Sequence, residues 1–313
     1  MKPKVYVLDA FHPAGVELIT KHTDAVPFGD PRAADWHADA DGVMTRGGKR
    51  LTEADFAKAR KLKVVFKQGV GVDSIDLQGA KKHGIKVYNT PGINTESVAE
   101  ITLGLMIAVG RRVAEFDRLI RSGGEADRSK LLGVELSGKS VAIVGMGNIG
   151  TRGARKLAGA FDVKLLGYDP YVPKTHWADI PHERVAGLED LLPRADVLTV
   201  HTPLNEETRG LIGKREMALM KTSAILINAA RGGIVDEMAL YDALKAGHLF
   251  GAGLDVFVEE PPKSTHPLVS LPNVIALPHV AGSTRETQER SSLRVAEGLI
   301  AIFGGKEPDG RVV

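Results

Sequence analysis

The chain has 313 residues, 43% of them hydrophobic and 26% charged, with a net charge of +2 at neutral pH. That length accommodates two domains of ordinary size, and the near-neutral balance, with no basic run interleaved with aromatics, argues against nucleic acid as a partner. The absence of cysteine removes disulfides, zinc–thiolate sites and thiol catalysis from consideration.

Met1 to Asp9 carries lysines before an apolar run that soon meets Asp9 and Pro13, which suits a strand over residues 4–8 better than an export signal. The longest apolar stretch, Ile101 to Val109, is far shorter than a membrane span. The sequence therefore reads as cytoplasmic, with no membrane contact. Ala14 to Lys21 suits a helix, and Asp41 to Arg46 a second strand. A helix from about Thr52 to Arg60 follows, with Thr52 as N-cap and Glu53 and Asp55 in the first turn. Val64 to Phe66 and Ile85 to Tyr88 are further strands. Strands alternating with helices predict a parallel α/β sheet. The breaker-rich Thr90-Pro-Gly-Ile-Asn94 leads into one long apolar helix, from Thr95 or Ser97 to about Ser122, expected to be buried between domains or against a partner subunit. Residues 122–137 read as a polar loop.

Next comes Ser140-Val-Ala-Ile-Val-Gly-Met-Gly-Asn-Ile-Gly150. Val141 to Val144 has the continuous apolar pattern of a strand buried on both faces. It runs into Gly145, Gly147 and Gly150, which fit G-x-G-x-x-G, and then into a helical stretch containing Ala154, Leu157 and Ala158. The following strand, Val163 to Tyr168, closes on Asp169, 19 positions beyond Gly150. Gly145 permits the tight turn, Gly147 lets backbone approach a pyrophosphate, and Gly150 lets the helix pack on the strand. The helix N-terminus offers N–H groups to phosphates, and Asp169 can accept from both ribose hydroxyls while repelling a 2′-phosphate. This predicts a Rossmann unit that prefers NAD to NADP. Further buried strands are expected at Ala195 to Val200, Ala224 to Asn228, Gly251 to Asp255 and Val274 to Leu277. An amphipathic helix from about Ser283 to Phe303 returns to the first domain.

Ligands of open α/β sheets bind beyond the carboxyl ends of the strands. Arg231, Asp255, Glu260 and His279 all follow predicted strand ends. A histidine paired with a carboxylate can act as general acid and base, and a neighbouring arginine can hold a carboxylate bidentately. His201 also lies at a strand end, where cofactor-loop packing and a plain structural role both fit. The remaining histidines, His266 among them, read as structural or exposed. The reading calls for no metal.

These residues fall in a series of ordered motifs: Gly69-Val-Gly-Val-Asp73, Asn89-Thr-Pro-Gly92, Ser97-Val-Ala-Glu100, Val144 to Gly150, His201-Thr-Pro-Leu204, Asn228-Ala-Ala-Arg-Gly232, Leu254-Asp-Val-Phe257, Glu260-Pro261 and Pro278-His279. With them the chain resembles the D-isomer-specific 2-hydroxyacid dehydrogenases, which include phosphoglycerate dehydrogenase and the glyoxylate or hydroxypyruvate reductases. The resemblance implies an α/β fold of two doubly wound parallel-sheet domains. One is a flavodoxin-like substrate domain, residues 1–98 and 285–313, and the other a Rossmann NAD-binding domain, residues 99–284. It implies hydride transfer between NAD and a D-2-hydroxy or 2-oxo acid. Arg231 would anchor the substrate's carboxylate and carbonyl oxygen, and Glu260 with His279 would form the acid–base dyad. Asp255 would contact the carboxamide, and Gly145, Gly147, Asn148, Ile149, Gly150, Asp169, His201, Thr202, Pro203, Ala229 and Ala230 would contact the rest of the cofactor. Arg46 and the backbone of Val70 and Gly71 would reach substrate. Arg46 with Lys49 suits an anionic side group or a plain exposed basic pair, so 3-phosphoglycerate, glyoxylate and hydroxypyruvate all stay open.

The resemblance further implies closure of two domains, with hinges near 95–100 and 282–287, and a homodimer through the nucleotide domain and the helix near 98–120. Loop 123–137 lacks the tryptophan that many relatives carry there. With the chain ending at Val313, the C-terminal regulatory domain of some phosphoglycerate dehydrogenases is not expected. Formate dehydrogenases of the same fold carry glutamine where Glu260 stands. A non-catalytic NAD(H)-sensing scaffold of this fold is the alternative.

Overall fold

The computed structural model describes residues 2–125, 127 and 129–313; Ala126 and Arg128, in the predicted polar loop, and Met1 lie outside the described residues. The chain divides into two compact units, Met1–Asn94 with Ser283–Val313, and Thr95–Gly282.

In the first unit, strands β1 (Lys4–Val7), β2 (Asp24–Val26), β3 (Gly42–Thr45), β4 (Val64–Lys67) and β5 (Lys86–Tyr88) form one parallel sheet in the order β2-β1-β3-β4-β5. That is the flavodoxin-like order. Side chains along each strand point alternately to the two faces. Val5, Val7, Met44, Val64 and Phe66 enter one buried cluster, and Tyr6, Val43 and Val65 the other. Residues 4–8 read as an alternating strand, but β1 is buried on both faces, so successive residues Val5, Tyr6 and Val7 are all apolar. On the first face, helix Arg285–Phe303 lies so close to helix Pro13–His22 that a methyl group on Gly15 would meet Ser292 Oγ at 2.2 Å. At the far edge of the sheet, Val312 N–H donates to Val87 O at 2.7 Å, covering β5 with the chain's last residues.

The second unit holds β6 (Ser140–Val144), β7 (Lys164–Tyr168), β8 (Glu183–Arg184), β9 (Val197–Val200), β10 (Ile225–Asn228), β11 (Gly251–Leu254) and β12 (Val274–Ala276). They form a parallel sheet in the order β12-β11-β10-β9-β6-β7-β8. The chain winds outward from β6 in both directions, so the strand order reverses between β6 and β9, where doubly wound sheets open a ligand crevice. Alternation again divides the strands, with Ile225 and Ile227 on one face and Leu226 on the other. Among the described residues, no helix is long and apolar enough to cross a membrane.

One expected element is corrected. The helix predicted from Thr95 to about Ser122 is two helices, Thr95–Gly110 and Val113–Arg121, separated at Arg112, whose φ is +54°. The cause is remote in sequence. The Gly110 carbonyl is taken by Val134 N–H at 2.8 Å, and Gly133 packs so tightly there that a methyl group on it would lie 2.7 Å from Gly110 O. The helical ladder therefore ends at Gly110.

Candidate active site

Three consecutive strands of the seven-stranded sheet deliver the acid–base candidates. After β10 the Asn228 side chain folds back on the chain: its Oδ1 accepts from Ala230 N at 3.0 Å and its Nδ2 donates to Arg231 O at 3.0 Å. Asn228 is buried, so this closed loop fixes the backbone from which Arg231 projects. Arg231 Nη1 donates to Ala230 O at 2.6 Å.

After β11, Asp255 is fully buried, and its carboxylate accepts from Val280 N at 2.8 Å and Ala281 N at 2.9 Å. His279 N–H also donates to the Asp255 carbonyl at 2.7 Å. Asp255 therefore staples the loop after β12 to the end of β11. Burial pushes its carboxyl up, against the pull of the two N–H donors. The stapled loop holds His279 in the left-handed region, φ +56°, and turns its ring toward Glu260. His279 Nδ1 lies 2.7 Å from Glu260 Oε2, while Glu260 Oε1 accepts from Phe257 N–H at 3.1 Å.

Burial acts to raise the Glu260 carboxyl, but the bonds from His279 and Phe257 and the charge of Arg231 hold it below its ordinary value. An ionised carboxylate only accepts, so Nδ1 carries the hydrogen and Nε2 is left to exchange a proton with a ligand. The Arg231 turn lies directly beneath this arrangement. A methyl group on Gly232 would sit 2.0 Å from Phe257 O, so only glycine lets the two backbones meet.

The glycine turn follows β6 at the centre of the same sheet. Gly145 has φ +95° and lies against His201 O, 2.6 Å from where a methyl group would stand. Gly150 would place a methyl group 2.0 Å from Gly145 O, which is why the helix Asn148–Ala160 needs glycine there. Gly147 caps that helix with open space around it. Asp169 accepts from Met146 N and Tyr171 N, both at 2.9 Å, and so stands fixed beside the turn.

Thr202 Oγ1 and His201 Nδ1 are buried without a hydrogen-bonding partner, and the Thr202 methyl borders Gly145. The open helix N-terminus, the bare Gly147 and an unpartnered hydroxyl beside them fit a dinucleotide. Pro203 follows in the same loop, and its carbonyl accepts from Thr208 Oγ1 at 2.6 Å. Asn148 and Ile149 form the first turn of the helix. Ala229 packs in a small cluster with Val98 and Ala281, with Ile149 against it, and Ala230 lies buried in the core of the opposite face. Burial pushes the His201 imidazole down to about 4, which makes it a neutral packing group.

Arg46, Val70 and Gly71 belong to the first unit, beyond the ends of the adjacent strands β3 and β4. Arg46 N–H donates to Asp9 Oδ2 at 2.6 Å and its Nη1 to Ala10 O at 2.9 Å. Val70 has an exposed side chain, and its carbonyl accepts from Asn89 Nδ2 at 2.6 Å. Asn228 and Asp9 were not singled out in the sequence. Both stand at the end of a strand or just beyond it, the same signal that marked Arg231 and His279.

Residues 103–281 match the model of the D-isomer specific 2-hydroxyacid dehydrogenase, NAD binding domain. A D-3-phosphoglycerate dehydrogenase of Methanocaldococcus jannaschii is 40% identical over 97% of this chain, although the chain spans only 58% of that protein's length. A glyoxylate reductase of Aeropyrum pernix is 39% identical, with 99% of this chain and 96% of the relative covered. The crystal structure of a glyoxylate reductase from Paecilomyes thermophila superposes with a TM-score of 0.86 at 27% identity, covering 99% and 98% of the two chains. With the NAD-binding model matched over most of the second unit and relatives aligned along the whole chain, this protein belongs to the D-isomer specific 2-hydroxyacid dehydrogenase family.

Proposed function

We propose that the protein is an NAD-dependent oxidoreductase that interconverts a D-2-hydroxy acid and its 2-oxo acid. The observation that carries this reading is the 2.7 Å pair of His279 and Glu260 beside the Arg231 turn, in the same unit as a glycine turn that fits a dinucleotide. Bound NADH supplies the hydride that adds to the carbonyl carbon. His279, protonated and held by Glu260, gives its Nε2 proton to the oxygen that becomes the hydroxyl, and takes it back in the oxidative direction. Arg231 stabilises the negative charge that builds on that oxygen and binds the substrate carboxylate.

Gly145, Gly147, Asn148, Ile149 and Gly150 hold the pyrophosphate, and Asp169 the adenosine ribose. His201, Thr202, Pro203, Ala229, Ala230 and Asp255 line the rest of the cofactor. Arg46 and the N–H groups of Val70 and Gly71 are further substrate contacts. On this reading residues 1–98 and 285–313 form the substrate domain and 99–284 the NAD-binding domain. The substrates that fit are 3-phosphoglycerate with its 2-oxo form, or glyoxylate and hydroxypyruvate. We also place the protein in the cytoplasm as a homodimer. Val113 and Ile120, exposed on the helix Val113–Arg121, support the second part.

The test is NADH consumption with a panel of 2-oxo acids, wild type beside His279→Asn, since asparagine tolerates the left-handed backbone. Turnover of one class of acid, reduced on the order of 10²- to 10⁴-fold in the variant, is expected. Tight NADH binding without turnover of any acid would favour a sensing scaffold instead. Light scattering checks the dimer.

A further inference from the structure

We propose that Glu237 and His266 form a second histidine–carboxylate pair whose task is to position Glu260, a reading that rests on Glu260 and His279 being the acid–base dyad. The pair lies in the same unit as the dyad and is better buried. Its side chains are 17% and 18% exposed, against 33% and 44% for Glu260 and His279.

Glu237 opens the helix Glu237–Lys245, yet it does not cap it. Asp236 does that, accepting from Met238 N and Ala239 N, both at 3.0 Å. The Glu237 carboxylate turns sideways instead. Its Oε1 accepts from Val258 N–H at 2.6 Å, and its Oε2 faces His266 Nε2 at 3.1 Å. The other ring nitrogen of His266 accepts from Leu268 N–H at 3.3 Å, so Nε2 carries the hydrogen and donates it to Glu237. The tautomer is thereby fixed from both sides. The ring also packs edge-on against Phe257, with centroids 5.3 Å apart.

Residues 257 and 258 are where this clamp meets the reaction. Phe257 N–H holds Glu260 Oε1, Val258 N–H is held by Glu237, and Gly232 of the Arg231 turn presses on the Phe257 carbonyl. The Val258 side chain itself is exposed and gives the segment no anchor of its own. Without Glu237 the segment keeps the contact from below and its buried Phe257 ring, and loses the hold on Val258 N–H from the side. Glu260 then loses its fixed aim at His279. A general acid held by a misplaced partner loses rate without losing substrate affinity, because ground-state binding does not use that alignment.

The experiment uses the full-length protein with NADH and its best 2-oxo acid, and compares Glu237→Ala, Glu237→Gln and His266→Phe. Glu237→Ala is expected to lower kcat on the order of ten- to a hundredfold while KM for the acid and the affinity for NADH hold. Glu237→Gln keeps an oxygen for Val258 N–H but sets its amide NH2 against the His266 donor, and should recover part of that loss. His266→Phe keeps the ring against Phe257 but removes the donor, and should lower kcat less than Glu237→Ala does. If Glu237→Ala does not fold, His266→Phe decides alone. Wild-type kcat in the variants, a Gln variant as impaired as the Ala variant, or equal losses in NADH affinity would each overturn the positioning role. A wild-type enzyme that turns over no 2-oxo acid would overturn the dehydrogenase reading, and this role with it.

Discussion

Two glycines of the dinucleotide turn separate the crowding that the chain imposes on itself from the crowding that a ligand imposes. A methyl group at Gly150 would lie 2.0 Å from Gly145 O and 3.1 Å from its carbonyl carbon. Both are backbone atoms, so the helix must move off the turn. Overpacking of this kind costs about 2 kcal/mol, which in a unit of this size lowers the melting temperature by roughly 4–8 °C. At Gly147 a methyl group would meet nothing within 4 Å, and φ is −69° there, so alanine can adopt the backbone. Lost N-cap preference and reduced unfolded-state freedom nearly offset one another, which leaves stability within about 0.5 kcal/mol of wild type. The open space, however, is where the pyrophosphate would approach. Gly147→Ala is therefore expected to raise the Kd for NADH tenfold or more, about 1.4 kcal/mol or above. Thermal unfolding and NADH fluorescence titration on both variants give the two axes. Gly150→Ala should fall on both, and Gly147→Ala on affinity alone. A Gly147→Ala protein that binds NADH as wild type does would refute the placement of the pyrophosphate. One that melts as early as Gly150→Ala would refute the steric argument.

Asp255→Asn replaces one of two buried acceptors with a donor facing the N–H of Val280 or Ala281. It should cost about 1–3 kcal/mol in a denaturant titration, with kcat falling because the His279 loop is freed; unchanged kcat in a destabilised variant would separate the staple from catalysis. Asn228→Ala opens the loop that carries Arg231, and KM for the 2-oxo acid should rise more than Kd for NADH. Equal effects on the two would show that Asn228 serves the cofactor side instead. His201 gives a pH dependence. Its folded value is pushed down to about 4 by burial, so as pH falls from neutrality the unfolded chain takes up this proton first. Stability should be lost between the ordinary histidine range, about 6.5, and the folded value. Urea midpoints across that window should fall less steeply in His201→Gln than in wild type.

The strands that carry the site were legible because parallel strands buried on both faces leave apolar runs; β6 and β9 are such runs followed by Gly145 and His201, and β10 is one that ends in Asn228. β2 and β8 were not legible. They are edge strands of three and two residues, too short to express a period. The break at Arg112 had one local signal, Gly110, which a long apolar helix can tolerate; what ends the helix there is the contact with Gly133 and Val134, remote in sequence. His266 looked like any lone histidine, because its partner Glu237 is 29 residues away in sequence and nothing local marks the pair. Strand ends can be read from a sequence. Which side chains brace those ends depends on contacts between segments that only the fold brings together.

The order of strands also sets an order of failure. The glycine turn follows β6, which is paired on both sides, whereas His279 follows β12, a three-residue strand at the edge of the sheet with a single neighbour. Edge segments open locally at less free energy than central ones. Gentle denaturation should therefore fray β12 first, producing a protein that still captures NADH but no longer reduces anything. On the proposed function, loss of turnover ahead of cofactor fluorescence would make the edge of this sheet the point at which the protein gives way first.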